Sequence, residues 1–180
     1  MDSTQINHVI SRDSYLKKLS IKFVFENEVP EVIPLDHAYF LLIPNEQSQS
    51  QTKSRVLGHW CLVESLKVQG RQDKNCVSFW DPYGSAPSPG IYGKLLGSAL
   101  THDADLFINK TCLQIEGSTI CGILCTYILL MRARKISPAD ILRKKVSKSQ
   151  RVNASVLVDL VNSILPLHVK KVTRFSLEFL

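Results

Sequence analysis

The apolar positions fall into blocks that predict the main elements. "HAYFLLIP", residues 37–44, is an apolar run of strand length and predicts a buried strand. "GHWCLVESLKV", 58–68, and "NCVSFW", 75–80, predict two more, and the turn between them centres on Gly70 in "VQGRQ". "CGILCTYILLMRAR", 121–134, is apolar on nearly every side of a helix, which predicts a central, buried helix. "SPADILRKK", 137–145, starts another helix, with Ser137 as N-cap and Pro138 at the first helical position. "NASVLVDLVNSIL", 153–165, carries an i, i+3/i+4 stripe of Val156, Leu157, Leu160, Val161 and Ile164, and Pro166 ends it. "NEQSQSQTKSR", 45–55, reads as a solvated loop, and "PYGSAPSPG", 82–90, as a rigid loop rich in turn residues. Strands adjacent in sequence and flanked by helices give an α+β class: a central helix packed on a mostly antiparallel sheet.

Composition fits one domain over 1–180, with 44% hydrophobic and 21% charged residues among 180. The opening "MDSTQINHVISRDSY" has no basic stretch leading into an apolar run. The longest apolar run, 121–131, is well short of the ~20 residues of a membrane span. The expectation is an intracellular, monomeric protein without a membrane partner. Five cysteines (Cys61, Cys76, Cys112, Cys121, Cys125) at no metal-like spacing predict free thiols, no disulfide framework and no metal. A net charge of +6 is compatible with a polyanionic partner and equally with a merely basic surface. Eight Lys and Arg against one Asp between 131 and 151 make 132–151 the candidate DNA-binding face.

The two central strands offer a geometric test. A turn at Gly70 pairs Lys67 with Asp73, Val63 with Val77, Cys61 with Phe79, Trp60 with Trp80 and His59 with Asp81. Directly opposed residues share a face with Cβ atoms ~5 Å apart, so this register places a carboxylate beside an imidazole. "DPYG", 81–84, is also a good type I turn, a role compatible with chemistry at Asp81.

Cys121 sits where "EGST" hands over to the apolar helix. A helix N-terminus favours the thiolate, and a histidine oriented by a carboxylate supplies a base. An oxyanion would need the Cys121 N–H and a side-chain amide, and Gln114, seven residues upstream, is the available one. Alone, such a cysteine reads as a buried structural thiol, which is the reading kept for Cys61, Cys76, Cys112 and Cys125.

"GHW", then "FWDPYG", then Gln114 seven residues before "CG", with a second cysteine four residues on, together resemble the adenovirus maturation protease (adenain) family. That family is grouped with the ubiquitin-like and SUMO-specific cysteine proteases. The resemblance covers roughly 29–134. It implies an α+β cysteine-protease fold with Cys121 as nucleophile, His59 as base, Asp81 as orienting acid and Gln114 in the oxyanion hole. It also implies that Trp60 walls the substrate site beside the histidine. The order His, Asp, Cys is this clan's and not that of papain-like chains. Two departures stand out: Asp81 replaces the adenovirus Glu, as in SUMO-type enzymes, and Ile120 replaces the Asp that precedes the SUMO-type nucleophile. No cysteine here matches the one that binds the adenovirus activating peptide, so no cofactor is carried over. Peptide or DNA activation remains family analogy only.

The resemblance implies an endopeptidase cutting capsid or core precursors during virion maturation, in a host nucleus and in the virion. A SUMO or ubiquitin-like deconjugase of the same clan is the second reading. An inactive DNA- or capsid-binding protein on the same fold is the third.

Overall fold

The computed structural model describes residues 3–44, 58–67, 74–114 and 120–146. The 45–55 loop, the turn around Gly70, the 153–165 helix and the basic residues beyond Val146 lie outside the described residues. In chain order the elements are α1 (Ser3–Ile10), β1 (Ser20–Val24), β2 (His37–Pro44), β3 (Gly58–Leu66), β4 (Asn75–Trp80), α2 (Pro89–Thr101), β5 (Ala104–Ile108) and α3 (Cys121–Ala133). A short helical segment, α4 (Pro138–Asp140), runs on as a π turn over Ile141–Lys145.

The strands form one sheet in the order β1-β2-β3-β4-β5. The class is α+β, but the sheet is mixed. The two central pairings, β2/β3 and β3/β4, are antiparallel, while β1/β2 and β4/β5 at the edges are parallel. Both parallel edges come from strands that the apolar pattern alone did not reveal. "SIKFV" is only half-buried, and "ADLFI" follows α2, whose start lies within the Pro- and Gly-rich stretch read as a loop. That helix does carry a start signal: the Ser88 side chain accepts from the Ile91 N–H at 3.2 Å, and Pro89 occupies the first turn. The same device opens α4, where Ser137 accepts from the Asp140 N–H at 3.1 Å.

Each face of the sheet is covered, so the central strands read as near-continuous apolar runs. On one face Phe40, Leu62 and Trp80 pack against Ile123, Leu124, Ile128 and Leu129 of α3. On the other, Tyr39, Leu41, Val63 and Phe79 pack against Ile91, Leu95 and Ala99 of α2. As its all-round apolar sequence predicts, α3 is buried along nearly its whole length. The α3 face also buries an ion pair, Arg132 Nε to Glu64 Oε1 at 2.5 Å. The same carboxylate oxygen accepts from Ser78 Oγ at 2.7 Å, and Trp80 Nε1 donates to Ser78 Oγ at 2.8 Å.

The β3/β4 register differs from the expected one by two residues. Val63 pairs with Phe79, Ser65 with Val77 and Leu62 with Trp80. A two-residue offset leaves every side chain on its predicted face, because the strand period is two. One step beyond the last pair, Asp81 comes opposite Cys61 rather than His59.

Candidate functional site

At the end of β4 the chain turns through 81–84. The Gly84 N–H donates to the Asp81 carbonyl at 2.8 Å, closing the turn expected from "DPYG". Gly84 has φ +76°, and a Cβ there would lie 2.8 Å from the Thr111 carbonyl carbon and 3.0 Å from the Cys112 nitrogen. Glycine is needed on both counts. The Leu113 N–H donates to the Pro82 carbonyl at 2.7 Å, so 81–84 and 109–114 form one packed unit. Asn109 fastens it: its amide nitrogen donates to the carbonyls of Asp81 at 2.8 Å and Thr111 at 2.9 Å. Its amide oxygen accepts from the Thr111 N–H at 2.9 Å, and the residue is wholly buried.

This unit holds the Asp81 carboxylate. One oxygen, Oδ1, accepts from the Tyr83 N–H at 2.7 Å and from His59 Nε2 at 2.7 Å. His59 thus reaches Asp81 as a diagonal neighbour across the sheet, within the reach of a long side chain. The Tyr83 ring covers the imidazole, with centroids 4.7 Å apart and planes tilted by 30°. The imidazole is 16% exposed and the carboxylate 6%.

Cys121 is the first residue of α3, buried, with its thiol against the His59 side chain and the Trp60 backbone. Burial alone would push this thiol up, but the hydrogen bond to His59, with support from the Trp60 backbone and the imidazolium charge, brings it below the ordinary value. Burial likewise opposes the charged imidazole. The Asp81 hydrogen bond outweighs it, and with the adjoining thiols holds His59 protonated up to about 12. Both shifts run in the direction that favours a thiolate–imidazolium pair backed by a carboxylate. The other buried thiols move the opposite way because desolvation dominates: Cys61 and Cys76 each to about 11, and Cys125 well above its ordinary value.

Of the sequence-predicted residues, His59, Asp81 and Cys121 come together. Gln114 is fully buried on the segment fastened to Pro82, with its own N–H 3.3 Å from the Pro82 carbonyl. The Trp60 ring lies on the α3 face of the sheet, edge-on to Phe23 and Phe40 with centroids 5.9 and 6.4 Å away, and is half-buried. Its carbonyl accepts from the Cys125 thiol at 3.4 Å. Asn109, Tyr83 and Gly84 were not singled out from sequence as site residues, and neither was Cys61, which touches His59. Asn109 carries no local signal, since its partners are backbone groups that only the fold brings close.

The basic stretch is partly neutralised. Arg132 is inside, paired with Glu64. Arg134 pairs with Asp13 at 2.6 Å and lies over the Tyr15 ring. Arg143 pairs with Asp140 at 2.7 Å. Among the described residues, no helix is long and apolar enough to cross a membrane.

No family model matches the chain. A 114-residue stretch is 29% identical to Polyprotein P1234 of Mayaro virus (strain Brazil), over 54% of this chain and 5% of that polyprotein. Stretches of 74 residues are 35% identical to Polyprotein P1234 of O'nyong-nyong virus, strains SG650 and Igbo Ora, over 36% of this chain and 3% of each polyprotein. The chain therefore spans no more than 5% of the length of these curated relatives. Among solved structures, the ASFV pS273R protease is similar at a TM-score of 0.43 and 11% identity, over 63% of this chain and 39% of that one.

Proposed function

We propose that this chain is a cysteine endopeptidase in which Cys121 is the nucleophile, His59 the acid–base and Asp81 the group that orients it. The observation that carries this reading is geometric: Asp81 Oδ1 lies 2.7 Å from His59 Nε2, and the Cys121 thiol at the start of α3 lies against the same imidazole. The directions of the thiol shifts agree with it. Burial raises Cys61, Cys76 and Cys125, whereas Cys121, against the Asp81-bound His59, is lowered. A structural thiol has no need of a carboxylate-backed imidazolium.

The chemistry follows from that pair. The Cys121 thiolate attacks a peptide carbonyl, and the His59 imidazolium gives its proton to the departing amine. Neutral His59 then takes a proton from water as the acyl-enzyme is hydrolysed. Asp81 holds the ring through Nε2, which leaves Nδ1 for the sulfur and the leaving group. The Gln114 amide and the Cys121 N–H are the proposed oxyanion donors. Trp60 is the proposed wall beside the substrate.

The ordered His-Trp, Asp-Pro-Tyr-Gly, Gln and Cys-Gly motifs support capsid or core precursors as substrates in a viral setting. The viral origin of the polyproteins sharing a segment with this chain agrees with that setting. Asp81 in the acid position is the SUMO-type choice and favours deconjugation as the second reading. DNA is proposed as a partner only through the basic residues not already committed to Glu64, Asp13 and Asp140.

The test is to incubate wild type and Cys121→Ala with virion precursors and with a SUMO-type precursor. Cleavage of the former by wild type alone is the expected result. Cleavage of the SUMO-type precursor alone selects the second reading. Cleavage of neither, with or without DNA, sinks the protease reading.

A further inference from the structure

The two-residue shift in the β3/β4 register brings an additional thiol to the site. With Asp81 opposite Cys61, a ring nitrogen of His59, the Cys61 sulfur and an Asp81 oxygen all lie within 4.8 Å of one another. Cys121 reaches the same imidazole from the start of α3. An imidazole, a sulfur and a carboxylate on rigid elements are a donor set for a divalent cation of the zinc type. We propose that His59, Cys61 and Asp81 bind a zinc-type cation with its fourth position open, and so hold the site in a reversible, metal-blocked state in which the imidazole no longer serves Cys121.

Tetrahedral zinc with ligands at about 2.0–2.3 Å needs donors about 3.3–3.8 Å apart. The observed spread within 4.8 Å requires a contraction of at most about 1.5 Å, and the 2.7 Å His59–Asp81 contact opens by about 0.6 Å, both within reach of side-chain rotation. On binding, Cys61 gives up its S–H proton and the coordinating ring nitrogen of His59 must be free of one, so uptake of the cation is linked to proton release. His59 and Cys61 leave β3 two residues apart on one face, and Asp81 is fixed by Tyr83 and Asn109. The ligands are therefore largely pre-positioned.

The blocking effect rests on the protease reading, whereas binding itself does not. The experiment uses the full chain with Cys112→Ser, which removes the exposed thiol. Zinc binding is measured by equilibrium dialysis, with cobalt as the optical probe for thiolate charge-transfer absorption. The expected result is one zinc per chain, proton release on binding, and slower alkylation of Cys121, whose thiol loses its hydrogen bond to His59. Cys61→Ser and Cys61→Ala should each weaken binding by about tenfold or more, the zinc effect on Cys121 alkylation being taken against each variant's own metal-free rate. Two results would overturn the proposal: zinc affinity unaffected by both Cys61 replacements, which marks an adventitious ion only, or bound zinc that leaves Cys121 fully reactive. Neither readout requires peptide cleavage. A chain that binds zinc through Cys61 and cuts nothing keeps this inference and loses the protease reading. A chain that cuts precursors and binds zinc without Cys61 does the reverse.

Discussion

The side-chain amide of Asn109 holds the carbonyl of Asp81 at 2.8 Å, and through Thr111 it fixes the start of the segment that carries Gln114. One buried residue thus ties the proposed orienting acid to the proposed oxyanion donor. Asn109→Ala takes the side-chain partner from the Thr111 N–H and carbonyl and leaves the Asp81 carbonyl with Gly84 alone, which predicts a loss of about 1–3 kcal/mol of stability. Asn109→Asp turns a carboxylate oxygen toward two carbonyls and should be worse. Thermal unfolding of both variants, paired with Cys121 alkylation, checks this. An alanine variant as stable and as reactive as wild type contradicts it.

In the proposed mechanism Gln114 acts only on an oxyanion. Gln114→Ala is therefore expected to lower kcat about 10²–10³-fold with little change in KM, the loss seen for a single oxyanion donor. The Cys121 alkylation rate should stay near wild type, because displacement of a halide builds no oxyanion. Loss of alkylation in step with kcat would recast Gln114 as a structural residue.

The pH profile of Cys121 follows from two opposed shifts. Its thiol is below the ordinary 9.0, so reactivity is present above the lowered pKa and is lost only as pH falls through it. His59 keeps its proton up to about 12, so the profile should have no break in the range where a free imidazole titrates. In His59→Ala, burial is left as the largest influence, and the midpoint should rise above 9.0. Iodoacetamide kinetics across pH give both midpoints. A wild-type midpoint at or above that of His59→Ala refutes the ion pair.

Arg132 and Glu64 form a pair with side chains 2% and 0% exposed. Arg132→Met leaves a buried carboxylate and should cost about 3–5 kcal/mol, whereas Arg132→Met with Glu64→Leu should recover most of it. Denaturant midpoints of the single and double variants decide the matter.

Gly84→Ala combines a positive φ with a 2.8 Å approach to backbone at Thr111. A loss of about 1–3 kcal/mol is expected, with reduced alkylation at Cys121 because the Asp81 turn must shift. Unchanged melting would show that the 109–114 segment yields more easily than its hydrogen bonds imply.

Much of this arrangement was legible in the chain. β2 and β4 match the predicted bounds, and α3 begins at Cys121 as the small-to-apolar seam indicates. The reach of His59 to Asp81 was legible as well, although the pairing used to argue it was two residues out. The faces were set by period-two alternation, which such an offset preserves, whereas the register depends on a turn whose length the residues around Gly70 do not reveal. α2 was hidden because Gly90, Gly93 and Gly97 lower its helical character. Arg132 reads as surface charge in a basic run. Only the placement of Glu64 on β3 opposite α3 shows it to be interior.

The chain order of the site also sets a clock. His59 and Asp81 belong to a hairpin near the middle, while the thiol begins a helix that ends at Ala133 and fills the last face of the sheet. A ribosome adding about 5–20 residues per second delivers the imidazole and the carboxylate seconds before the sulfur. A nascent chain would then carry no nucleophile until nearly all of its sheet is already outside the exit tunnel. On the protease reading, its first chance to cut a peptide, itself or a neighbour, comes only when the core that restrains it can close.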